Sequence, residues 1–428
     1  MNLDILNLQW PEGDRDLHIT IPPLMYLHKK YQLKIETKSI FSGYYYLLKY
    51  KPKVLIISYF GGAYINHSIS KMAYIMGIKV ISFVSEGNRL EHGDFGFWGH
   101  NIDKILYLDA LLVWSTRFNN FHLNENNLHM QDDKLKVVGA VGFDRYALLD
   151  FKSKEYFLNA HNLNYKKIIG IGAWAFDLFF DDYFETYKEH LQTIYTQKQI
   201  DMHRKDLYTL RMILSQLIKN NQDILFILRY HPGSVILNKT ELFGLDSYTN
   251  TFVSSKDMHT NYAISDLINI SDIWIGYETT TALEAWLLNK QTFLINPTNS
   301  NFVRENVYKG SPIVQTVDEA QNLIDEYFNK GKMRVFESLN GERQKIIKEV
   351  IEYDDGKNYI RAANEIMKVY EQPNKKIKYK LEFYPAMLKQ FTKLVLSKLF
   401  IKKRWPELNY KSDFAKYYKV IYDKVINV

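Results

Sequence analysis

Apolar residues along this chain gather in short runs that alternate with helix-patterned or polar stretches. Leu3–Leu8, Gln32–Thr37, Val54–Tyr59, Lys79–Val84, Ala110–Trp114 and Lys136–Val138 read as strands, and a loop carrying Pro11-Glu12-Gly13-Asp14-Arg15-Asp16 follows the first. Gly61-Gly62 breaks the chain before a helix predicted over Asn66–Met76. Strands alternating with helices at this spacing predict a parallel, doubly wound sheet. The pattern restarts at Lys167-Ile168-Ile169-Gly170-Ile171-Gly172, which places a boundary near residue 160. A helix around Arg204–Asn220 follows, then strands at Ile224–Arg229, Thr251–Val253, Ile273–Gly276 and Thr292–Ile295, and helical segments near Asp318–Lys330 and Gly341–Tyr370.

The expected architecture is α/β with two Rossmann-like domains, 1–160 and 161–372, followed by a basic helical tail over 373–428. Two such domains facing each other across a cleft make the GT-B arrangement, in which ligands sit at the carboxyl ends of the strands. The length of 428 residues suits two cores rather than one. Net charge is +7, but the segment from Pro373 onward carries 14 Lys/Arg against 4 Asp/Glu, so the basic character belongs to the tail. That distribution and the lack of a nucleic-acid motif argue against a nucleic-acid partner. In the tail, Met387–Lys402 puts Leu388, Phe391, Val395 and Leu399 on one helical face, with Lys389, Lys393 and Lys402 elsewhere. Such a helix can lie on an anionic membrane surface, or pack on a domain and show its lysines to water. The chain has no cysteine, which excludes disulfides and thiolate metal sites and suits a reducing compartment. With no signal-peptide pattern and no apolar span of about 20 residues, the expected location is the cytoplasm, peripheral to the inner face of its membrane if the tail binds lipid.

Two segments carry the chemistry. The apolar run Ile224–Leu228 ends in Arg229-Tyr230-His231-Pro232-Gly233, and Ile273–Gly276 ends in Tyr277-Glu278-Thr279-Thr280-Thr281. A His at a strand end can donate to a phosphate oxygen and stabilise a departing nucleotide; its bland alternative is a turn His bonded to a backbone carbonyl. Hydroxyls that open a helix suit a phosphate because the first N–H groups lack partners and carry partial positive charge. One Thr is enough for a cap, so three after Gly276 point to a ligand. Glu284, one turn on, is placed for ribose hydroxyls or simply for the helix dipole. Gly172 ends half of a dinucleotide fingerprint, too little for a cofactor motif but enough for close passage beside a ligand. This pattern of a His and a phosphate seat fits a nucleotide-sugar transferase. Glu86, at the end of Lys79–Val84 and followed by Gly87, is the expected base for an acceptor hydroxyl. The polar, aromatic loop from Glu86 to His100 offers Arg89, His92 and Asp94 for acceptor binding, with Asp94 as reserve base. Asp181-Asp182 reads as a helix start, and His92, Asp94 and His100 lack metal-ligand spacing, so neither a metal nor a cofactor is expected.

Phe83-Val84-Ser85-Glu86-Gly87, Phe97-Trp98-Gly99, Leu112-Val113-Trp114-Ser115 and Val137–Asp144 resemble the N-terminal half of the bacterial surface carbohydrate biosynthesis protein family. His231-Pro232 and Gly276–Glu284 are similar to the His-Pro and Ser/Thr motifs of bacterial GT-B sialyltransferases and Kdo transferases. The resemblance spans roughly residues 50–300. It implies an inverting, metal-independent glycosyltransferase of capsule, lipopolysaccharide or related surface glycan synthesis. The implied donor is a CMP-activated nonulosonic or Kdo-type sugar, and the acceptor a glycan or lipid-linked glycan. Glu86 would be the base, with His231 and Thr279–Thr281 on the CMP phosphate. Ser85 stands where sialyltransferases often have a second acid. The start Ser271-Asp272 and the threonines also resemble CDP-glycerol glycerophosphotransferases, the first alternative. A non-hydrolysing sugar-nucleotide 2-epimerase shares the fold, but Glu278-Thr279-Thr280 replaces its Ser-Gly-Gly loop. A non-catalytic subunit of an export complex is a further alternative.

Overall fold

The computed structural model describes residues 3–11, 14–60, 64–87, 107–123, 132–180, 195–254, 262–298, 308–373, 375, 384–399 and 414–428. The chain forms two compact units, one from Met1–Leu149 together with Lys348–Val428, the other from Asp150–Ile347.

In the first unit the strands β1 (Ile5–Gln9), β2 (Ile35–Ser39), β3 (Val54–Ile57), β4 (Lys79–Phe83), β5 (Ala110–Val113) and β6 (Leu135–Val137) form one sheet of order β2-β1-β3-β4-β5-β6. All its pairings are parallel. β1, β3, β4 and β5 are buried along their whole length, as expected for a parallel sheet covered on both faces. The order reverses between β1 and β3, and this switch point is where open α/β sheets leave a crevice at their carboxyl ends. Helix α1 (Asp14–Tyr31) follows β1 and runs through Pro22 and Pro23. Each proline removes a helical N–H, a cost of about 3 kcal/mol. Burial of Leu17, Ile19, Ile21, Leu24 and Leu27 offsets it. Helices α2 (Gly43–Tyr50) and α3 (Tyr64–Ile75) continue the alternation.

The domain limits differ from the sequence expectation. The helical segment expected over Gly341–Tyr370 is two helices, Asn340–Ile351 and Asn358–Glu371, separated by a turn in which Gly356 has φ +68°. Such a φ favours glycine. The second helix belongs to the first unit, because Tyr359, Ala362, Ala363 and Ile366 join the core over α1. Asp144 fixes its start by accepting the Tyr359 N–H at 2.7 Å. The tail is also divided. Its last helix, Lys416–Asp423, buries Tyr418 and Tyr422 in that same core, so a domain ending at 372 with a separate tail is corrected. The helix expected at Met387–Lys402 runs Tyr384–Leu399 and leaves Leu388, Phe391 and Val395 exposed.

The second unit has β7 (Lys167–Gly172), β8 (Ile224–Arg229), β9 (Thr251–Ser254), β10 (Ile273–Gly276), β11 (Gln291–Ile295) and β12 (Ile313–Val314) in the order β12-β11-β10-β7-β8-β9. These pairings are parallel as well, and the switch point falls between β7 and β10. Helix α4 (Gln197–Asn220) opens with a capping box, Thr196 with Gln199; α5 (Ile264–Ile270) and α6 (Thr281–Leu287) flank β10.

Candidate functional site

Three of the expected site residues lie in one row across the second sheet. Gly276 pairs with Gly172, and Gly172 pairs with Arg229, all at the carboxyl ends of β10, β7 and β8. The glycines are required by close packing: a Cβ on Gly276 would sit 2.4 Å from the Thr279 side chain, and one on Gly172 would meet Thr281 Oγ1 at 3.0 Å. Gly172 therefore brings β7 against the start of α6 at the switch point.

His231 is exposed just beyond β8, and its ring is oriented by its own turn. Gly233 N–H donates to Nδ1 at 3.1 Å, so the proton of the neutral ring sits on Nε2, which becomes the donor nitrogen. Pro232, exposed beside it, sets the turn. Asp177 holds the following segment by accepting the N–H groups of Val235 at 2.6 Å and Ile236 at 3.1 Å. Arg229 is half-buried and donates to Ser254 Oγ at 3.2 Å.

The threonines form a network of their own. Trp274 Nε1–H donates to Thr281 Oγ1 (2.8 Å), and Thr281 N–H donates to Thr279 Oγ1 (3.1 Å). The two hydroxyls share a further bond at 2.9 Å. One of the two hydroxyl hydrogens makes this mutual bond, which leaves the other to donate to an anion. Thr280 is the N-cap of α6 and makes no side-chain cap bond, so capping does not explain it. Glu284 is buried within α6, at 8% exposure.

Residues that the sequence did not single out support this end of the sheet. Tyr277, fully buried after β10, donates to Asp206 Oδ2 at 2.7 Å. Its oxygen then accepts from His203 Nδ1–H at 3.0 Å. Burial pushes the His203 pKa down to about 4 and keeps the ring neutral. Glu241 accepts Trp174 N–H at 2.6 Å, and burial raises its carboxyl to about 8, so it is held as the neutral acid. Asp206, Asp177 and Glu241 look like ordinary helix or loop acids in the sequence. Only their tertiary neighbours distinguish them.

In the first unit, Glu86 is partly exposed after β4 and forms an ion pair with Arg15 at 2.7 Å. The carboxylate that the sequence marks as the acceptor base is thus already paired with a guanidinium. Asp16 lies in the first turns of α1 and is nearly buried; it accepts from Ser58 Oγ at 2.7 Å. Arg89, His92, Asp94, His100 and Asp181-Asp182 lie outside the described residues. Among the described residues, no group of three His, Cys, Asp or Glu could hold a metal ion.

No family model and no curated protein matches this chain. Solved structures do. The UDP-GlcNAc 2-epimerase from Neisseria meningitidis bound to UDP-GlcNAc is 12% identical, with TM-score 0.55, over 86% of this chain and 100% of that one. MnaA of S. aureus with UDP is 13% identical, with TM-score 0.54, over 88% and 100%. The wall teichoic acid polymerase TagF is 14% identical, with TM-score 0.53, over 86% and 89%. Two six-stranded parallel sheets with flanking helices, matched along most of the chain, give this protein the two-domain α/β fold of the GT-B type.

Proposed function

We propose that this protein is an inverting GT-B glycosyltransferase of bacterial surface glycan synthesis. The second unit takes a nucleotide sugar, preferably a CMP-activated nonulosonic or Kdo-type acid, and the first takes a glycan or lipid-linked glycan acceptor. The observation that carries this reading is His231. Its Nδ1 is occupied by Gly233 N–H, which makes Nε2–H the donor at the carboxyl end of β8. A donor there stabilises the negative charge that builds on a departing phosphate. Gly172, Gly276 and the remaining hydroxyl hydrogen of the Thr279–Thr281 pair lie at the same carboxyl end of the sheet, at the β7/β10 switch point where ligands of such sheets bind. Arg229, the last residue of β8, supplies positive charge, and Glu284 is assigned to the ribose. A single phosphate can be neutralised by these groups, so turnover is expected to survive excess EDTA.

A second reading has a specific observation behind it: several of the matched structures are UDP-GlcNAc 2-epimerases, and one is a wall teichoic acid polymerase. The test is a panel of CMP-sialic acid, CDP-glycerol, UDP-GlcNAc and GDP-mannose, each with and without an oligosaccharide acceptor mixture. Nucleotide release that needs the acceptor and yields an extended glycan is expected with the CMP donor. Conversion of UDP-GlcNAc alone would establish the epimerase instead, and release from CDP-glycerol the glycerophosphotransferase.

The exposed apolar residues Leu388, Phe391 and Val395, in a tail rich in lysine, are assigned to an anionic membrane surface. Among the described residues no helix is long and apolar enough to cross a membrane. Leu388→Asp with Phe391→Asp is expected to abolish sedimentation with phosphatidylglycerol vesicles; unchanged sedimentation would remove this assignment.

A further inference from the structure

Sheet order puts the switch point of the first unit between β1 and β3, and the polar groups gathered there differ from those the sequence suggests. Asp16, near the start of α1, reaches the residues just past β3 and β4. Ser58 Oγ donates to its Oδ2 at 2.7 Å, and the Ser85 hydroxyl, which donates to Ser58 O at 3.2 Å, lies close enough to act on it. Arg15 and Glu86, the other charged groups facing it, pair with each other at the surface. On the α1-facing side of β1, Asn7 donates to Thr20 of that helix, and Gln9 shares this face by strand alternation. Gln9 is fully buried, and its Oε1 has no hydrogen-bond partner among the described residues.

We propose that Asp16, rather than Glu86, is the catalytic base that takes the proton from the acceptor hydroxyl. This inference rests on the transferase reading. As the acceptor oxygen bonds to the anomeric carbon, its proton passes to the Asp16 carboxylate. The anomeric C–O bond to the nucleotide breaks, and its electron pair leaves on the phosphate oxygen. The two carboxylates differ in their surroundings. Glu86 is partly exposed and already engaged in an ion pair with Arg15 at 2.7 Å. Asp16 is taken out of water, which raises its proton affinity above that of an ordinary Asp; the nearby Glu86 charge adds to this, while Arg15 and the two serines offset part of it. A base of higher proton affinity removes a hydroxyl proton more readily.

The experiment uses the full chain and whichever donor of the panel the wild type consumes. Asp16→Asn is expected to lower kcat by about 100-fold or more, with CMP affinity and melting temperature unchanged. Glu86→Gln is expected to stay within about 10-fold. Ser58→Ala removes a hydrogen bond that stabilises the carboxylate, so the acid limb of the pH–kcat profile should move to higher pH. A purely structural role for Asp16 would not move that limb, and this variant decides the matter if Asp16→Asn does not fold. Wild-type turnover with an active Asp16→Asn, or an unmoved acid limb in Ser58→Ala, overturns the base assignment and leaves the transferase standing. No nucleotide release by the wild type from any donor defeats the transferase reading, and the base assignment with it.

Discussion

At the scale of single residues, the second unit separates side chains that would meet a ligand from those that hold them. His231→Ala removes the Nε2–H donor, and Thr279→Ala with Thr280→Ala removes hydroxyls at the start of α6. Each variant is expected to weaken CMP binding by roughly 1–3 kcal/mol, the range for hydrogen bonds to a charged group; calorimetric titration checks this, and unchanged affinity in both would move the donor site elsewhere. Glu241 supports the same region from beneath and has a pH signature. Its folded carboxyl titrates at about 8 against an ordinary 4.5. The unfolded chain gives up this proton first, so the group's contribution to stability is greatest below pH 4.5 and falls as pH rises toward 8. Glu241→Gln does not titrate. Its stability relative to wild type should therefore rise between pH 5.5 and 7.5, by on the order of 2 kcal/mol at about 1.4 kcal/mol per unit. Denaturant midpoints at the two pH values measure the difference. A pH-independent offset would show that Glu241 is not held protonated.

At the scale of elements, the sequence is most legible where burial is complete. The observed β8 and β10 coincide with the runs Ile224–Arg229 and Ile273–Gly276, because a buried parallel strand is an unbroken apolar segment bounded by polar residues. The strand-end residues Arg229, His231, Gly276 and Thr279–Thr281 were legible for the same reason. Helix α1 was not, since Pro22-Pro23 masks it locally and only its tertiary packing sustains it. Nor was Asp16, which reads as one acid among Asp14-Arg15-Asp16 until Ser58 is folded against it. The C-terminal helices show the same limit: their periodicity announces a face to be buried but not its partner. For Lys416–Asp423 the partner is the core around α1, where Tyr422 is fully buried and its hydroxyl hydrogen-bonds His18 Nδ1 at 2.7 Å. Tyr422→Phe should cost about 1 kcal/mol for the lost bond. Tyr422→Ala should cost about 3–5 kcal/mol, as for other large buried rings. Urea unfolding followed by circular dichroism distinguishes this core element from a dispensable tail, for which both changes would be neutral.

At the scale of the whole molecule, the chain order matters more than the symmetry of two similar sheets. The second unit is continuous from Asp150 to Ile347, whereas the first is assembled from segments on either side of it. The two therefore differ in what they need in order to fold. The second unit contains its complete sheet and an apolar core built from residues such as Phe157, Leu225, Ile227, Leu267 and Trp274. A fragment spanning 150–347 should fold by itself, with a cooperative urea transition, and it carries His231 and Thr279–Thr281. A fragment of residues 1–149 has all six strands of its sheet but lacks Tyr359, Ala362, Ile366 and Tyr422, which cover α1. Large side chains such as Tyr359, Ile366 and Tyr422 left exposed, at about 1.5–3 kcal/mol each, remove an amount comparable with the roughly 5–15 kcal/mol that typically separates folded from unfolded domains. This fragment should therefore be unfolded or aggregated, and adding residues 348–428 through a short linker should restore a cooperative transition. CMP binding by the 150–347 fragment, lost in its His231→Ala form, would locate nucleotide recognition in that unit alone. A folded 150–347 fragment that binds no nucleotide would show that donor recognition requires residues of the first unit.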